Sequence, residues 1–305
     1  MERARSGGWH DDGGVTLLCP VRGCGEPLAA EEGRVRCPHG HSFDVARSGY
    51  LNLLQPQDRR SANPGDSRAA AEARRRLYEA GHGAALLAEL ERQLAAVELQ
   101  PTSTLLDVGC GEGSLLGALA AERSLAAYGL DISTPAIELA ARRFPSLRWI
   151  VANADRRLPF AARSFDAVLV LSARPNRDEF ARVLAPSGRL IVATPAPDDL
   201  VELREMLLGE GERRDRLERT IDSLSPAFEV EERACARHVA LLDATGIADV
   251  LAATYRGARH SQQARLAEFQ ARGGLRVTMS HDVARFRLSG DPPRSTSLRH
   301  PPMVS

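Results

Sequence analysis

The chain contains no lysine. All 40 of its basic residues are arginines, set against 40 acidic residues for a formal net charge of zero over 305 residues. A coding bias accounts for the missing lysine, which carries no functional reading. The balanced charge excludes overall attraction to a polyanion as grounds for assigning a partner. Long apolar runs are also missing, and none approaches the roughly 20 residues of a membrane-spanning helix. Met1 to Gly14 holds charges and glycines but no apolar core of a secretory signal, so the expected compartment is the cytoplasm. Cysteine is scarce: five residues, at 19, 24, 37, 110 and 235. An odd number without a secretory signal argues against a disulfide framework. No internal repeat is visible.

What cysteine there is clusters. Cys19-Pro-Val-Arg-Gly-Cys24 is followed by Cys37-Pro-His-Gly-His41. Tetrahedral zinc takes thiolate and imidazole ligands as two close pairs. Cys19, Cys24, Cys37 and His41 supply such a set, with His39 a competing ligand. Forty residues of alternating short apolar patches cannot build a core large enough to bury three free cysteines, so a metal is expected to organise them. Cys110 and Cys235 read as small apolar fillers.

Organisation follows from composition. Residues 1–14 and 290–305, rich in Gly, Pro, Ser and charge, read as disordered tails. Residues 15–58 form the metal-binding unit. Residues 59–98 are linker and helices: turn-forming residues through Asp66, then a helix capped by Asp66 or Ser67 and stopped by Gly81, then a second from Ala84 to about Val97. From residue 99 to 289, strands and helices alternate. Strands are expected at Leu105–Val108, Ala126–Leu130, Leu147–Val151, Ala167–Leu171 and, after a Pro186–Gly188 turn, Arg189–Ala193. Val239–Leu242 and Leu275–Phe286 supply the last two. This predicts an α/β fold with a mostly parallel, seven-stranded sheet covered on both faces.

The first strand runs into Asp107-Val-Gly109-Cys-Gly111-Glu-Gly113. Glycines there let the backbone turn tightly and approach a ligand closely. The spacing differs from the dinucleotide fingerprint, and with Asp131 at the end of the next strand, placed for ribose hydroxyls, it points to S-adenosylmethionine. Ala154 and Asp155, in Ala152-Asn-Ala-Asp-Arg-Arg-Leu158-Pro-Phe160, resemble the segment that class I methyltransferases place around the adenine. The acid stands one residue later than in the common form.

Two chemistries find no support. The tetrapeptide that amino-group methyltransferases carry after the fourth strand is replaced by Ser172-Ala-Arg174-Pro175, and no cysteine near it could serve as a nucleophile on a pyrimidine. A ring nitrogen or an oxygen is the expected acceptor. No His/Asp pair announces itself as a catalytic base. Between Arg34 and Arg76 arginines outnumber acids, a locally basic stretch compatible with nucleic acid.

Cys19 to His41, Phe43-Asp44, Gly49-Tyr-Leu-Asn52, Arg60-Ser61, Asn63-Pro-Gly-Asp-Ser67, Ala73-Arg-Arg75 and Ala80-Gly-His82, in that order, give the chain its family resemblance. From about Leu18 to Pro195 it resembles the bacterial 23S rRNA (guanine-N1)-methyltransferases, which include the tylosin-resistance methyltransferases. The resemblance implies a Rossmann-like class I methyltransferase with an N-terminal zinc domain that recognises rRNA. It also implies a homodimer, zinc ligation by Cys19, Cys24, Cys37 and His41, and methylation of guanine N1 in hairpin 35 of 23S rRNA, lining the peptide exit tunnel, with a link to macrolide resistance. Arg59, Arg60, Arg74 and Arg75 would meet phosphates. The chain departs from the family in its wider first cysteine pair, in Ala173-Arg174 where the family has Ala-Pro, and in Ala253-Thr-Tyr255-Arg256 where it has Thr-Pro. A small-molecule methyltransferase of secondary metabolism and a non-enzymatic zinc-dependent RNA-binding protein stay open as alternatives.

Overall fold

The computed structural model describes residues 9, 14–58, 64–123, 125–171, 173–208, 215–254 and 274–290. The N-terminal unit is a three-stranded antiparallel sheet, β1 (Ala29–Glu31), β2 (Arg34–Arg36) and β3 (Ser42–Asp44), followed by the short β4 (Leu51–Asn52). Helices α1 (Arg68–Glu79) and α2 (Ala84–Ala95) come next. Ser67 caps α1, its side chain accepting from the Ala70 N–H at 3.2 Å, and Gly81 closes the helix at a φ of 85°.

The alternating region follows: β5 (Thr104–Val108), α3 (Ser114–Ala121), β6 (Ala126–Asp131), α4 (Thr134–Arg143), β7 (Arg148–Val151), β8 (Phe165–Leu171), α5 (Arg177–Val183) and β9 (Leu184–Pro195). Helices α6 (Val201–Leu208) and α7 (Arg216–Leu224), strand β10 (Phe228–Leu242), α8 (Ala244–Thr254) and β11 (Leu275–Leu288) complete the chain.

The main sheet has the order β10-β11-β9-β8-β5-β6-β7-β4. It is parallel from β4 to β9, and β11 and β10 are antiparallel. Alternate residues of each central strand enter opposite cores. Leu106, Val108, Val168 and Val170 face one cluster; Leu105, Ala167, Leu169 and Ile191 face the other, against α2, α3 and α4. The alternation puts Asp107 on the same face as Leu105. Successive strands depart to either side of β5, so the crevice expected to take a ligand lies beyond the carboxyl ends of β5, β6 and β8.

Three sequence expectations are corrected. The sheet has eight strands: the seven expected are joined at the β7 edge by β4, with Leu51 opposite Ile150 and Asn52 opposite Val151. Part of residues 15–58 is thereby built into the sheet of residues 99–289. The Leu18 N–H also donates to Pro159 O at 3.0 Å, and the Ala161 N–H to Thr16 O at 3.0 Å. Strand β10 begins eleven residues before Val239, because Glu229, Glu231, Arg233 and Arg237 alternate outward from a sheet edge and dilute its apolar signal. The Pro186–Gly188 turn is a bulge within β9, where pairing jumps from Phe165/Leu184 to Ala167/Arg189. Both tails lie outside the described residues except Trp9, Gly14 and Gly290. Trp9 is anchored, its indole Nε1 donating to Gly49 O at 2.9 Å.

Leu51 is fully buried in the core shared by both units. Leu51→Ala is expected to cost about 2–5 kcal/mol of global stability, read from the guanidinium midpoint. A loss confined to the first sixty residues would show that the two units unfold separately.

Candidate metal and donor sites

In the N-terminal unit, Cys37 leaves β2 and His41 enters β3. The turn between them is closed by the Cys37 N–H to His41 O (3.0 Å) and the Gly40 N–H to Cys37 O (2.9 Å). The wide first pair closes because a second turn, with the Cys24 N–H donating to Val21 O at 2.9 Å, brings Cys24 back toward Cys19. The ligand atoms of Cys19, Cys24, Cys37 and His41 all lie within 4.8 Å of one another. Cys24 Sγ is 3.8 Å from Cys37 Sγ, and His41 Nδ1 is 3.5 Å from Cys19 Sγ and 3.4 Å from Cys37 Sγ. A tetrahedron with zinc–sulfur bonds of about 2.3 Å and a zinc–nitrogen bond of about 2.0 Å has edges of roughly 3.5–3.8 Å, so these residues fit zinc. His39 Nδ1, 3.5 Å from Cys24 Sγ, lies on the exposed side. Burial pushes the Cys19 thiol up to about 12, a cost that a bound dication reverses by stabilising the thiolate.

The donor loop is built from glycines that side chains could not replace. Gly109, Gly111 and Gly113 have φ of 80°, 57° and 81°, in the left-handed region. A Cβ on Gly113 would stand 2.5 Å from the Trp149 ring and 2.9 Å from Ala140, so the loop rests directly on buried aromatic surface. Gly113 also starts α3, leaving backbone N–H groups at the helix N-terminus.

Two carboxylates face this loop. Asp131 accepts from the Gly111 N–H at 3.0 Å and the Ser133 N–H at 2.7 Å. Asp107 is 1% exposed, and neither of its oxygens has a hydrogen-bond partner. Burial, then the nearby charge of Asp131, pushes its carboxyl up to about 8. An orphaned buried carboxyl costs stability unless a ligand supplies donors. That is the arrangement expected of a residue awaiting a cationic or N–H-bearing group. Glu112, equally buried, is committed internally to Arg143 (2.6 Å) and the Ser114 hydroxyl (2.8 Å).

Beyond β7, Ala152 N–H donates to Asp131 O (3.0 Å), and Asn176 Nδ2 donates to Ala154 O (2.7 Å), which brings the loop carrying Ala154 beside Asp131. Asp155 is exposed, and its carboxylate lies 3.8 Å from Arg174 at the surface. Cys110 is half-buried, its thiol raised well above the ordinary value by burial, which suits an inert filler. Cys235 is exposed on β10 and fills nothing.

Of the four arginines expected to meet phosphate, only Arg74 and Arg75 are described, and they face different ways. Arg59 and Arg60 lie outside the described residues, as does Tyr255. Arg75 is paired with Glu79 at 2.9 Å along its own helix. Arg74 turns inward: Nη1 donates to Asp66 at 2.6 Å, and Nη2 donates to Ala253 O at 2.9 Å. Its Nη1 lies 3.2 Å from where a Cβ on Gly111 would be. Sequence reasoning also missed what the Pro64–Ser67 segment does. A Cβ on Gly65 would stand 2.7–2.9 Å from Ser133 and Ile132, and the Ser133 hydroxyl donates to Asp66 O at 2.6 Å. The segment packs directly on the residues that follow Asp131 at the end of β6. Its signal in sequence was the Pro-Gly-Asp-Ser run, which reads equally well as a loop.

Comparison with known proteins agrees with this geometry. A methyltransferase-domain family matches residues 105–188, and a zinc-ribbon family described as "RlmA, N-terminal" matches residues 17–62. The chain is 35% identical to the 23S rRNA (guanine(748)-N(1))-methyltransferase of Streptomyces fradiae, over 77% of this chain and 83% of that one. It is 36% identical to a protein of Micromonospora griseorubida provisionally named 23S rRNA (guanine-N(1)-)-methyltransferase, over 75% and 82% of the two chains. A Bacillus subtilis protein with the same provisional name is 36% identical over 64% of this chain and 70% of its own.

Two outcomes are expected. Cys37→Ser should lose the metal, measured by elemental analysis of the purified protein, yet keep donor affinity within about threefold, since no donor-site contact described above comes from the metal-binding turns; a parallel collapse of donor binding would show the sites interdependent. The second concerns Asp107. Its folded value lies above the ordinary 3.8, so the folded chain holds an extra proton between that value and about 8, and stability falls as pH rises through this window. A cationic ligand pairing with Asp107 displaces that proton. Binding of S-adenosylhomocysteine at pH 7 should therefore release close to one proton (~0.9) and tighten toward pH 8. Calorimetry in buffers of different ionisation enthalpy measures this, and zero release would remove Asp107 from the contact.

Proposed function

Because this chain belongs to the family of 23S rRNA (guanine-N1)-methyltransferases, we propose that it transfers a methyl group from S-adenosylmethionine to N1 of a guanine in hairpin 35 of 23S rRNA. The observation that carries the reading is structural continuity: a Cys3His cluster with zinc geometry is built onto the edge of the sheet that forms the donor crevice. A small-molecule enzyme has no evident use for that addition.

Bound S-adenosylmethionine supplies an electrophilic methyl group on a sulfonium centre. The chain's residues do the rest. Gly109, Gly111 and Gly113 admit the donor close to the backbone, Asp131 accepts from the ribose hydroxyls, Asp107 takes a positively charged group, and the loop at Ala154 and Asp155 borders the adenine. Guanine N1 carries a proton at neutral pH (pKa about 9), so that proton leaves before or during transfer. The base is unstacked to reach the crevice.

The metal-binding unit offers RNA a set of exposed arginines. Arg22, Arg36 and Arg47 form no ion pair with another described residue, nor does Arg157, which lies against Gly25 of that unit. Together with Arg59 and Arg60 they are suited to phosphates, and the RNA affinity should fall steeply with salt. Cys19, Cys24, Cys37 and His41 hold the zinc that fixes this surface. The reading includes a cytoplasmic homodimer and resistance to macrolides through the methylated tunnel; exposed Val239 and Leu241, 42% and 69% accessible on the edge strand, support the dimer. No described helix is long and apolar enough to cross a membrane.

Primer extension through that hairpin, in a host lacking its own enzyme of this type, tests the proposal. A methyl on N1 blocks the Watson–Crick edge, so a new reverse-transcriptase stop is expected. Its absence, with expression and donor binding confirmed, would move the acceptor elsewhere.

A further inference from the structure

With the nucleoside of the donor against Asp131 and the Ala154 loop, at the carboxyl ends of β6 and β7, the acceptor has the β8 side of the crevice. The tip of β8 touches the donor loop there: a Cβ on Gly109 would stand 3.0 Å from the Ala173 Cβ and 3.8 Å from Leu171 O. Leu171 pairs with Ala193, so the carboxyl end of β9 is the next stretch of sheet on that side.

Beyond Pro195 the chain turns on itself. The Ala196 N–H donates to Ser280 O of β11 at 3.0 Å, the Asp199 N–H to Ala196 O at 3.0 Å, and the Ser280 N–H to Asp199 Oδ1 at 2.9 Å. These bonds hold the Asp199 carboxyl at the carboxyl tip of the sheet, past the end of β9 and one strand over from the tip of β8. Asp199 is half-buried, and its second oxygen accepts from no described residue.

The other ionisable groups at this tip are committed or weakly basic. Asp198 takes the Ser280 hydroxyl and Arg237, and Glu202 takes the Thr278 N–H at 2.8 Å and its hydroxyl at 2.6 Å. His281, opposite Pro195, has its imidazole pushed down to about 4 by burial. Burial pushes the Asp199 carboxyl up to about 6, with Asp198 adding to the rise and the Ser280 N–H, Arg204 of α6 and Arg216 of α7 opposing it. It is mostly ionised at pH 7, yet a stronger base than an ordinary carboxylate.

Taking guanine N1 as the acceptor, as in the function proposed above, we propose that Asp199 is the base that receives the N1 proton, on the oxygen that Ser280 leaves unused. The N1–H bond breaks and its proton passes to the carboxylate. The electron pair left on N1 forms the bond to the methyl carbon while the methyl–sulfur bond breaks, its pair staying on sulfur. Asp199 then gives the proton to water, so the positive charge lost from the sulfonium leaves as that proton.

Single-turnover methyl transfer to a transcript of the hairpin tests this, using the full-length zinc-loaded protein across a range of pH. The wild-type rate should rise with pH through a midpoint near 6 and then level. Asp199→Asn keeps a carbonyl oxygen for the Ser280 N–H and loses the base. It should bind S-adenosylhomocysteine within about threefold of wild type by calorimetry and lose about 100-fold or more in rate at pH 7. Its rate should then climb about tenfold per pH unit toward pH 9, where guanine N1 ionises without help. A variant rate at pH 7 within about threefold of wild type would overturn the proposal. So would a deficit of the same size at every pH, which would make Asp199 a positioning residue, or a parallel loss of S-adenosylhomocysteine binding, which would make it a structural brace. Wild-type protein that binds S-adenosylhomocysteine but leaves guanine N1 unmethylated would overturn the acceptor reading and this inference with it, a result seen before any variant is made.

Discussion

The rest of the molecule depends on a backbone turn that tolerates no side chain at three of its five positions. Gly109, Gly111 and Gly113 are in left-handed geometry, and Trp149 and Ala140 lie directly beneath Gly113, so the chain passes over buried aromatic surface at contact distance. Trp149 in turn needs Gly129 on the neighbouring strand, where a Cβ would stand 2.3 Å from its ring. The ring is held by its Nε1 donating to Phe144 O at 2.9 Å. This stack sets the level of the loop above the sheet. Asp107 ends up below it, out of reach of water, and Asp131 beside it. A carboxyl buried without partners is destabilising, and its persistence at the head of a crevice is best understood as a ligand contact held ready.

Around that loop the chain closes a ring from distant parts of the sequence. Gly65 and Asp66 pack on Ser133, Arg74 reaches from α1 to Gly111, and the end of α8 is tied to Arg74 through the Ala253 carbonyl. A segment that looks like a connector between two units is packed against the end of β6, beside Asp131. Together with β4 in the main sheet, this explains how the metal-binding unit is placed relative to the donor: through the backbone, at a fixed register, and not through a hinge.

The arginine-only basic composition has a structural counterpart. Many arginines are internal fasteners. Arg182 donates to the Phe160 and Leu158 carbonyls while paired with Glu179. Arg189, 3% exposed, and Arg285 share Glu231, and Arg143 neutralises Glu112 under the donor loop. A planar guanidinium satisfies carbonyls and carboxylates at once, which a lysine ammonium does less well. Counting arginines along the sequence therefore overstates the charge available to RNA, and Arg74 is the instance that matters most.

The sequence by itself determined whatever is encoded locally. Cysteine and histidine spacing defined the metal set, Asp107 and the three glycines after an apolar strand defined the donor loop, and Ser67 and Gly81 marked the ends of α1. Each is a short-range signal, set by capping, turn geometry or metal preference within a few residues. Tertiary structure decided what depends on partners far along the chain. Two residues, Leu51 and Asn52, are too few to announce a strand, and became one because β7 offered an unpaired edge. Strand β10 was hidden because an edge strand with one solvated face needs few apolar residues. The inward turn of Arg74 was invisible because Asp66, Gly111 and Ala253 come together only once α1, the donor loop and α8 are packed. A charged side chain's role is set by which opposite charges the fold brings to it, and sequence order alone does not record that.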